Sequence, residues 1–445
     1  MNQQPFFKNV IRIAIPVALQ SMLQSSFSMI DQVMVGQLGS TSIAAVGIAG
    51  KFAFLYSVVI GAVTAIAGIQ ISQYIGQKNG KLADRSLCVN LLLSCIIGFL
   101  FTLVSLLFPG GIMRLYSEDG GTVSAAAEYL QIIAGTYLPM GVASTLSVML
   151  RCYDHAKAPL IATTMSAVIN TSMNYALIFG NFGFPALGVK GAAVASLVSG
   201  WINMLMIMWF MFRLIRNRKD RFAWSIKMNV AERKQYLFML IPVVVNEFLW
   251  GVGQNVFTSI YGHIGTQEAA AVALISPVES LLIGALSGLA QAAGILIGKR
   301  LGEEQKEEAY RQSKALMWYG FIGSAVLSLL LLALKGYYVR IYHVEDYVRH
   351  TAGLLLIAFA VLVPFKVQNM ILGGGIIRSG GKTKYIMWID LLGTWALGVP
   401  LGVLAGRWIG LPVAWVYFVI GLEEIVRWGI SVRLFRSRKW MVKID

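Results

Sequence analysis

Charged side chains are scarce in this sequence: only 13% of its 445 residues are Asp, Glu, Lys or Arg, whereas 57% are hydrophobic. The hydrophobic residues form long runs, for example over 87–108, instead of an amphipathic pattern. A water-soluble fold cannot bury so much apolar surface, and a bilayer-spanning helix needs roughly 20 predominantly apolar residues. Because only helices and closed barrels satisfy the backbone in lipid, runs of this length predict an all-α integral membrane protein.

Chemical motifs are also few. The three cysteines, Cys88, Cys95 and Cys152, have neither paired nor metal-knuckle spacing, which excludes a disulfide framework and a cysteine metal site. The segment 381–383 reads Gly-Lys-Thr like the end of a phosphate loop, but the pattern requires glycine at Ile376. The sequence therefore predicts a protein that is not an enzyme and carries no cofactor.

The apolar runs are separated by short clusters of turn and charged residues. They predict twelve membrane spans, near residues 11–35, 44–74, 87–108, 123–150, 159–180, 188–212, 237–262, 268–297, 315–334, 350–377, 385–405 and 411–432.

Acidic residues are outnumbered by basic ones, 21 to 37, which gives a formal net charge of +16. Lys and Arg avoid the apolar runs and gather in alternate loops, most densely over 213–235, between the sixth and seventh spans. By the positive-inside rule, this pattern predicts a multi-pass protein of the cell membrane with both termini in the cytoplasm. It indicates topology, and no nucleic-acid partner is expected.

The chain contains an internal repeat. A shift of 226 aligns Ile15–Gly76 with Ile241–Gly302 without a gap, matching IPV with IPV and GQLG with GHIG. A shift of 227 aligns Arg151 with Arg378. Each repeat holds six predicted spans, so the two halves are related by an axis along the membrane normal, and substrate sites in such proteins lie between repeats near the bilayer midplane.

The repeat also predicts the domain organisation. We expect two pseudo-symmetric six-helix lobes, 1–218 and 236–445, joined by a basic cytoplasmic linker, 219–235.

Ionisable residues within the spans are candidates for function because they are costly to place in lipid. Asp31 lies in the outer half of the first span and Glu247 near the middle of the seventh. In the repeat alignment, Asp31 corresponds to Phe257 and Glu247 to Ser21, so each lobe has a carboxylate of its own.

Polar residues surround both carboxylates at helical spacing. Gln20 and Gln24 share a face with Asp31, Trp250 and Gln254 share a face with Glu247, and Asn170 and Asn174 on the fifth span are candidates to join Asp31. Intramembrane amides also commonly hydrogen-bond neighbouring helices, and aromatic residues commonly pack, so a structural role stays open for each.

Three further charged residues in spans, Glu279, Lys51 and Asp390, need partners inside the protein and complete the candidate set. Glu423 and Arg427 have the spacing of an intrahelical ion pair, which we interpret as structural.

The segments IPVALQSMLQSSFSMIDQVMVGQLG, SAVINTSMNYALIFGNFGFPALGVKGAAVAS and GIIRSGGKT resemble the multidrug and toxic compound extrusion (MATE) family. The likeness spans nearly the whole chain. It implies export of organic, often cationic and amphipathic, compounds coupled to a proton or sodium ion, by alternating access of two lobes.

The resemblance also bears on individual residues. Asp31 matches the carboxylate that the family carries on its first helix, and Glu247 lies on the same helix as an acid of the NorM-like branch, three residues nearer to Pro242. A bound sodium ion is therefore expected, if anywhere, near Asp31 or Glu247. Val367 and Asn174 stand where two branches of the family have further acids, so the choice between proton and sodium stays open.

The sequence leaves one alternative function, a flippase for a lipid-linked precursor, which would need a cationic cavity for pyrophosphate. Among lysines, only Lys51 and Lys366 lie inside spans. We expect small organic cations and the bilayer as partners, and a protein that functions as a monomer.

Overall fold

The structure is a computed structural model that describes residues 3–218, 220–342 and 344–444. Lys219, the first residue of the predicted linker, and Asp445, the end of the second predicted lobe, lie outside the described residues. Within the described ranges all regular secondary structure is helical.

The first half of the chain forms eight α-helices. They are α1 (Gln3–Gly36), α2 (Ser40–Gly76), α3 (Gly80–Leu107), α4 (Pro109–Arg114), α5 (Gly120–Ile133), α6 (Tyr137–Cys152), α7 (Lys157–Phe179) and α8 (Val189–Asn217), with 3-10 turns at Ala134–Thr136 and Asn181–Gly183.

The second half forms seven α-helices and three π-helical segments. The α-helices are α9 (Val230–Ile264), α10 (Thr266–Gly302), α11 (Lys306–Arg340), α12 (Asp346–Asn369), α13 (Thr383–Leu391), α14 (Val399–Val403) and α15 (Val413–Arg436). The π-helical segments are Met370–Ile377, Leu392–Gly398 and Leu404–Trp408.

Ten helical stretches among the described residues are long and apolar enough to cross a membrane. α7 and α15 add two helices of 23 and 24 residues that are more polar. α7 carries Asn170 and Asn174, and α15 carries Glu423, Glu424 and Arg427. Each of the twelve predicted spans thus coincides with one helix or with a run of consecutive helical segments, and α7 bears two of the candidate site residues.

The described chain forms two compact units. Of the described residues, those within Leu19–Ile71 and Asn79–Asn229 form the N-terminal unit, and those within Met1–Ala18, Ser72–Lys78 and Val230–Asp445 form the C-terminal unit. The first turns of α1 and the last turn of α2 therefore belong to the C-terminal unit, while the remainder of both helices belongs to the N-terminal unit.

The turns between helices preserve the repeat. Lys78 and Glu304, which a shift of 226 aligns, both adopt a left-handed backbone with φ of 57° and 61°. Asp154 and Gly381, which a shift of 227 aligns, do the same with φ of 64° and 72°. Because this conformation is uncommon for residues other than glycine, its recurrence at aligned positions is structural support for the duplication.

Inside the C-terminal unit, the last turns of α2 and α10 cross closely through aligned glycines. A Cβ atom on Gly76 would lie 2.0 Å from the Lys299 carbonyl oxygen, and one on Gly302 would lie 2.0 Å from that of Gln73. Gln73 and Lys299 are themselves aligned, so the crossing is reciprocal. Only glycine allows backbones to approach this closely.

Candidate functional site

A carboxylate held by two amides forms the central feature of the N-terminal unit. Asp31 on α1 is half-buried, and the Asn174 side chain on α7, which is only 1% exposed, donates to its Oδ1 at 2.6 Å. Asn170 lies one turn earlier on the same face of α7. With its amide nitrogen turned toward Asp31, it donates to the two carboxylate oxygens at 3.0 and 3.1 Å.

The Asn170 oxygen is then free to accept from the backbone N–H of Ser196 on α8 at 3.3 Å. α7 is thereby fixed between α1 and α8, and its two amides present donors to the carboxylate. Within the described part of the chain, Asp31 forms no ion pair within 4 Å. Its negative charge is therefore stabilised by neutral groups only and is available to a proton or to an external cation.

A second polar layer in the N-terminal unit lies three turns toward the start of α1. Gln20 donates to Thr163 Oγ1 at 2.9 Å and accepts from the Arg151 guanidinium at 2.8 Å. In the part of the chain that the structure describes, no carboxylate pairs with Arg151 within 4 Å. This layer thus holds a cation that is bound by an amide oxygen alone.

The C-terminal unit has a polar layer at the positions aligned with Gln20, Thr163 and Arg151, and this layer contains acids. Asn246 donates to Asp390 Oδ2 at 2.8 Å, repeating the Gln20–Thr163 contact at shifts of 226 and 227. Arg378, aligned with Arg151, has both terminal nitrogens 3.3 Å from Oε1 of Glu247. Sequence analysis singled out Glu247 and Asp390 but missed their partners. The Arg151–Arg378 alignment was the signal that would have located Arg378.

Besides Asn246, an arginine binds Asp390. Arg427 on α15 pairs with Asp390 Oδ1, with Nε at 3.0 Å, and its guanidinium lies 3.4 Å from Glu424 and 3.9 Å from Glu423. The predicted pair of Glu423 and Arg427 is therefore the longest contact of a larger cluster. Glu424 also accepts from Asn369 at 2.7 Å.

A cavity of about 220 Å³ opens among these side chains in the C-terminal unit. Six charged residues line it, of which three are acids and three are bases: Glu247, Asp390, Glu424, Lys366, Arg378 and Arg427. Trp250 is 42% exposed and lies at the same cavity, with the packing or stacking role that sequence analysis left open. The lining charges sum to zero, unlike the Asp31 cluster.

The remaining candidates lie apart from both clusters. Glu279 on α10 accepts a hydrogen bond from Tyr417, and Gln254 is half-buried on α9. Gln24 and Lys51 are exposed on α1 and α2. Among the described residues Lys51 makes no ion pair within 4 Å, so the partner expected for it inside the protein is not found.

No cluster of three or more His, Cys, Asp or Glu side chains placed to hold a metal ion occurs within the described ranges. Hard cations take several oxygen ligands, but Asn174 turns its nitrogen donor toward Asp31, and Asn170 does the same when its amide is oriented to donate. Glu247 in turn faces a guanidinium.

Two stretches of the chain, residues 16–176 and 242–404, match the model of the MatE family. They cover more than half of the sequence and coincide with the two repeats. The chain belongs to the MatE family. It is therefore a multi-pass membrane transporter of the multidrug efflux type and not an enzyme, as the sequence predicts.

Curated relatives resemble the chain along its whole length. "Uncharacterized transporter YisQ" of Bacillus subtilis is 23% identical over 432 residues, covering 96% of this chain and 94% of the relative. "Probable multidrug resistance protein NorM" of Thermotoga maritima is 24% identical over 436 residues, covering 97% and 93%.

Solved structures share the fold. A MATE structure in complex with MaL6 has a TM-score of 0.89 at 18% identity, covering 97% of this chain and 96% of its own. A MOP superfamily transporter from Pyrococcus furiosus, whose reverse polarity of binding pocket suggests a different function, has a TM-score of 0.87 at 18% identity, covering 97% and 95%. The predicted twelve-helix, two-lobe membrane fold is confirmed.

Proposed function

We propose that this transporter exports organic cations in exchange for protons, with Asp31 as the site for which the two compete. The carrying observation is the half-buried Asp31 carboxylate, which accepts hydrogen bonds from Asn174 and Asn170 but has no cationic partner among the described residues. Either ligand neutralises the carboxylate, and one excludes the other. Competition for one charge is sufficient to couple the two fluxes.

The choice of proton over sodium is supported by the donors around Asp31. With Asn170 oriented to donate to Asp31, a sodium ion would require both amides to rotate and present oxygen, which would break the contact between the Asn170 oxygen and the Ser196 backbone N–H. A proton needs one oxygen of the carboxylate and no further ligand. We propose no bound metal and no cofactor for the transport cycle.

A lipid-linked pyrophosphate as substrate is less well supported. Such a substrate carries several negative charges and would need a cavity with excess positive charge. The cavity in the C-terminal unit has three lining acids against three lining bases, and Arg378 and Arg427 are already paired with carboxylates. We therefore place organic cations ahead of lipid-linked anions as the substrate class.

The placement in the cell follows from charge distribution. The basic loop between α8 and α9 and the basic C-terminal segment support cytoplasmic termini and a plasma-membrane location. We propose that one chain suffices for transport, since the candidate clusters are each complete within one chain.

The test is export of ethidium from proteoliposomes under an imposed proton gradient or an imposed sodium gradient. We expect the proton gradient to drive export by the wild type and Asp31→Asn to reduce it to the protein-free background. Asp346→Asn is the matched control, because Asp346 is an exposed residue at the start of α12. It should export at the wild-type rate.

The other outcomes are equally informative. Export driven by sodium alone would refute proton coupling, and full activity of Asp31→Asn would refute the role of Asp31. If neither gradient moves ethidium, accumulation of a fluorescent lipid-linked pyrophosphate on the far leaflet would establish the flippase function instead.

A further inference from the structure

The buried cluster around Arg427 has more acids than bases. Three carboxylates, those of Asp390, Glu423 and Glu424, lie within 4 Å of this one guanidinium. Lys366 lines the same cavity and interacts electrostatically with Glu423. Even with Lys366 included, three negative charges face two positive charges, because Arg378 is engaged by Glu247. One negative charge is left without a counterion.

The three carboxylates differ in the ion pairs and hydrogen bonds that stabilise their charge. Asp390 is bound by Arg427 and by Asn246, and Glu424 is bound by Arg427 and by Asn369. Glu423 has only the longest contact, 3.9 Å from Arg427, although it is 4% exposed. The uncompensated charge is therefore most costly on Glu423.

The surroundings of the second oxygen of Glu423 are apolar. Oε2 is buried and accepts no hydrogen bond. A Cβ atom placed on Gly398 would lie 2.6 Å from Oε2 and 2.9 Å from Cζ of Phe257, so backbone and ring enclose this oxygen. The hydroxyl of Thr394, 1% exposed, is the donor beside the Glu423 carboxyl, but among the described residues it makes no hydrogen bond within 3.5 Å. Burying a bare carboxylate oxygen in this way is unfavourable, whereas a neutral carboxyl is tolerated.

The internal repeat relates the position of the Glu423 carboxyl to that of Asp31. Phe257, which packs around the same point as Glu423 Oε2, is the residue aligned with Asp31. In the N-terminal unit the first helix of the repeat supplies a carboxylate at this position. In the C-terminal unit the first helix supplies a phenylalanine, and the last helix, α15, supplies a carboxyl beside it.

We propose that Glu423 reversibly binds a proton and is the counterpart of Asp31 in the C-terminal unit, so that the transporter has one proton site in each unit. The proton site itself follows from the cluster, and its part in transport rests on the proposed function. The space around Oε2 is filled by Gly398 and Phe257, which leaves room for a proton and none for a larger ion.

Other titratable or charged groups face Glu423 from each surrounding helix. Arg427 and Glu424 share its helix, Asp390 comes from α13, Lys366 from α12 and Tyr261 from α9. Beyond these groups, Glu279 on α10 accepts a hydrogen bond from Tyr417 and also interacts with Tyr261. Of the carboxylates around Arg427, Glu423 has the most distant contact with the guanidinium and, among the described residues, a buried Oε2 without a hydrogen bond within 3.5 Å, and so it is where the proton resides.

The test is infrared spectroscopy of the purified, folded transporter as a function of pH. We expect the wild type to show the carbonyl band of a neutral carboxylic acid that disappears reversibly as the pH rises. Glu423→Gln should abolish this component, while Asp31→Asn and Glu424→Gln should retain it. Glutamine is nearly isosteric with the protonated acid, so Glu423→Gln should fold at least as stably as the wild type.

If the titrating band were the same in Glu423→Gln as in the wild type, or if the wild type showed none, the proposal would be overturned. A component that survives in Glu423→Gln but is lost in Asp31→Asn belongs to Asp31 and does not count against it. This measurement requires no transport, so its result is separate from the fate of the antiport hypothesis. With export established, the protons moved per ethidium should fall by half in Glu423→Gln. An unchanged ratio would show that this proton does not take part in transport.

Discussion

The two units of this transporter have turns and a polar layer at aligned positions, but their acidic side chains have different partners. In the N-terminal unit Asp31 is held by Asn170 and Asn174, and no described base pairs with it. In the C-terminal unit Glu247 and Asp390 each pair with an arginine. The duplicated backbone was thus retained while the charges diverged. The difference teaches that Asp31, which no arginine engages among the described residues, is available for a ligand, whereas Glu247 and Asp390 are already held by guanidinium groups.

The polar layers show how this divergence proceeds at aligned positions. Gln20 and Thr163 form a neutral contact where Asn246 and Asp390 form a charged one. Arg151 and Arg378 are common to both. An arginine inherited from the common repeat therefore has an acid partner in one unit and an amide partner in the other.

The largest effect is expected from breaking the charged cluster of the C-terminal unit. Arg427→Leu would leave three buried carboxylates without their shared guanidinium, and removing one partner of a buried pair typically destabilises a protein by about 3 to 5 kcal/mol. Thermal unfolding in detergent, followed by tryptophan fluorescence, should show a large loss of stability. The same substitution at Arg433, which is exposed on the same helix, is the control.

If Arg427→Leu unfolded at the same temperature as the Arg433→Leu control, the cluster would contribute nothing to stability. Arg427 would then be present for transport alone. The pairing of carboxylates with arginine in the C-terminal unit would not be a structural difference from the N-terminal unit.

A smaller effect is expected from loosening the Asp31 cluster. Asn174→Ala removes the 2.6 Å hydrogen bond to the carboxylate. A hydrogen bond to a charged group contributes about 1.5 to 3 kcal/mol, and about 1.4 kcal/mol corresponds to a tenfold change in affinity. We therefore expect ethidium to bind roughly tenfold more weakly, as measured by fluorescence titration of the purified protein.

The control for this change is Asn217→Ala, at the exposed end of α8. It should leave ethidium affinity unchanged. Equal affinity in Asn174→Ala and the wild type would mean that Asp31 is ordered without its amide donor, or that ethidium binds elsewhere.

Much of the architecture could be predicted from the sequence because lipid imposes a strong constraint on composition. Twelve apolar runs were sufficient to locate twelve spans, including the polar α7, where Asn170 and Asn174 interrupt the apolar pattern. The gapless repeat also aligned Phe257 with Asp31, and in the structure the Glu423 carboxyl lies beside Phe257.

The side-chain pairs could not be predicted in the same way. Glu247 and Arg378 are 131 residues apart, and nothing local to either residue signals that they meet. Lys51 and Lys366 both appear inside spans, yet one is exposed on α2 and the other lines a cavity. Whether a charge faces the interior depends on helix rotation, which the sequence fixes only through packing against neighbouring helices. The two compact units are also divided within α1 and α2, a feature with no sequence signal.

The smallest effect should come from making the N-terminal layer resemble its counterpart. Thr163→Asp introduces the acid that Asp390 provides in the aligned position, where Gln20 already donates and Arg151 lies on the other side of Gln20. The new charge gains a buried arginine but loses water, so the two contributions largely cancel. We expect the unfolding temperature to change little and ethidium export to persist, because Asp31 stays without a base. A loss of export at full stability would instead show that the unpaired charge of Arg151 is needed for transport, and that both layers of the N-terminal unit differ from the C-terminal unit for functional reasons.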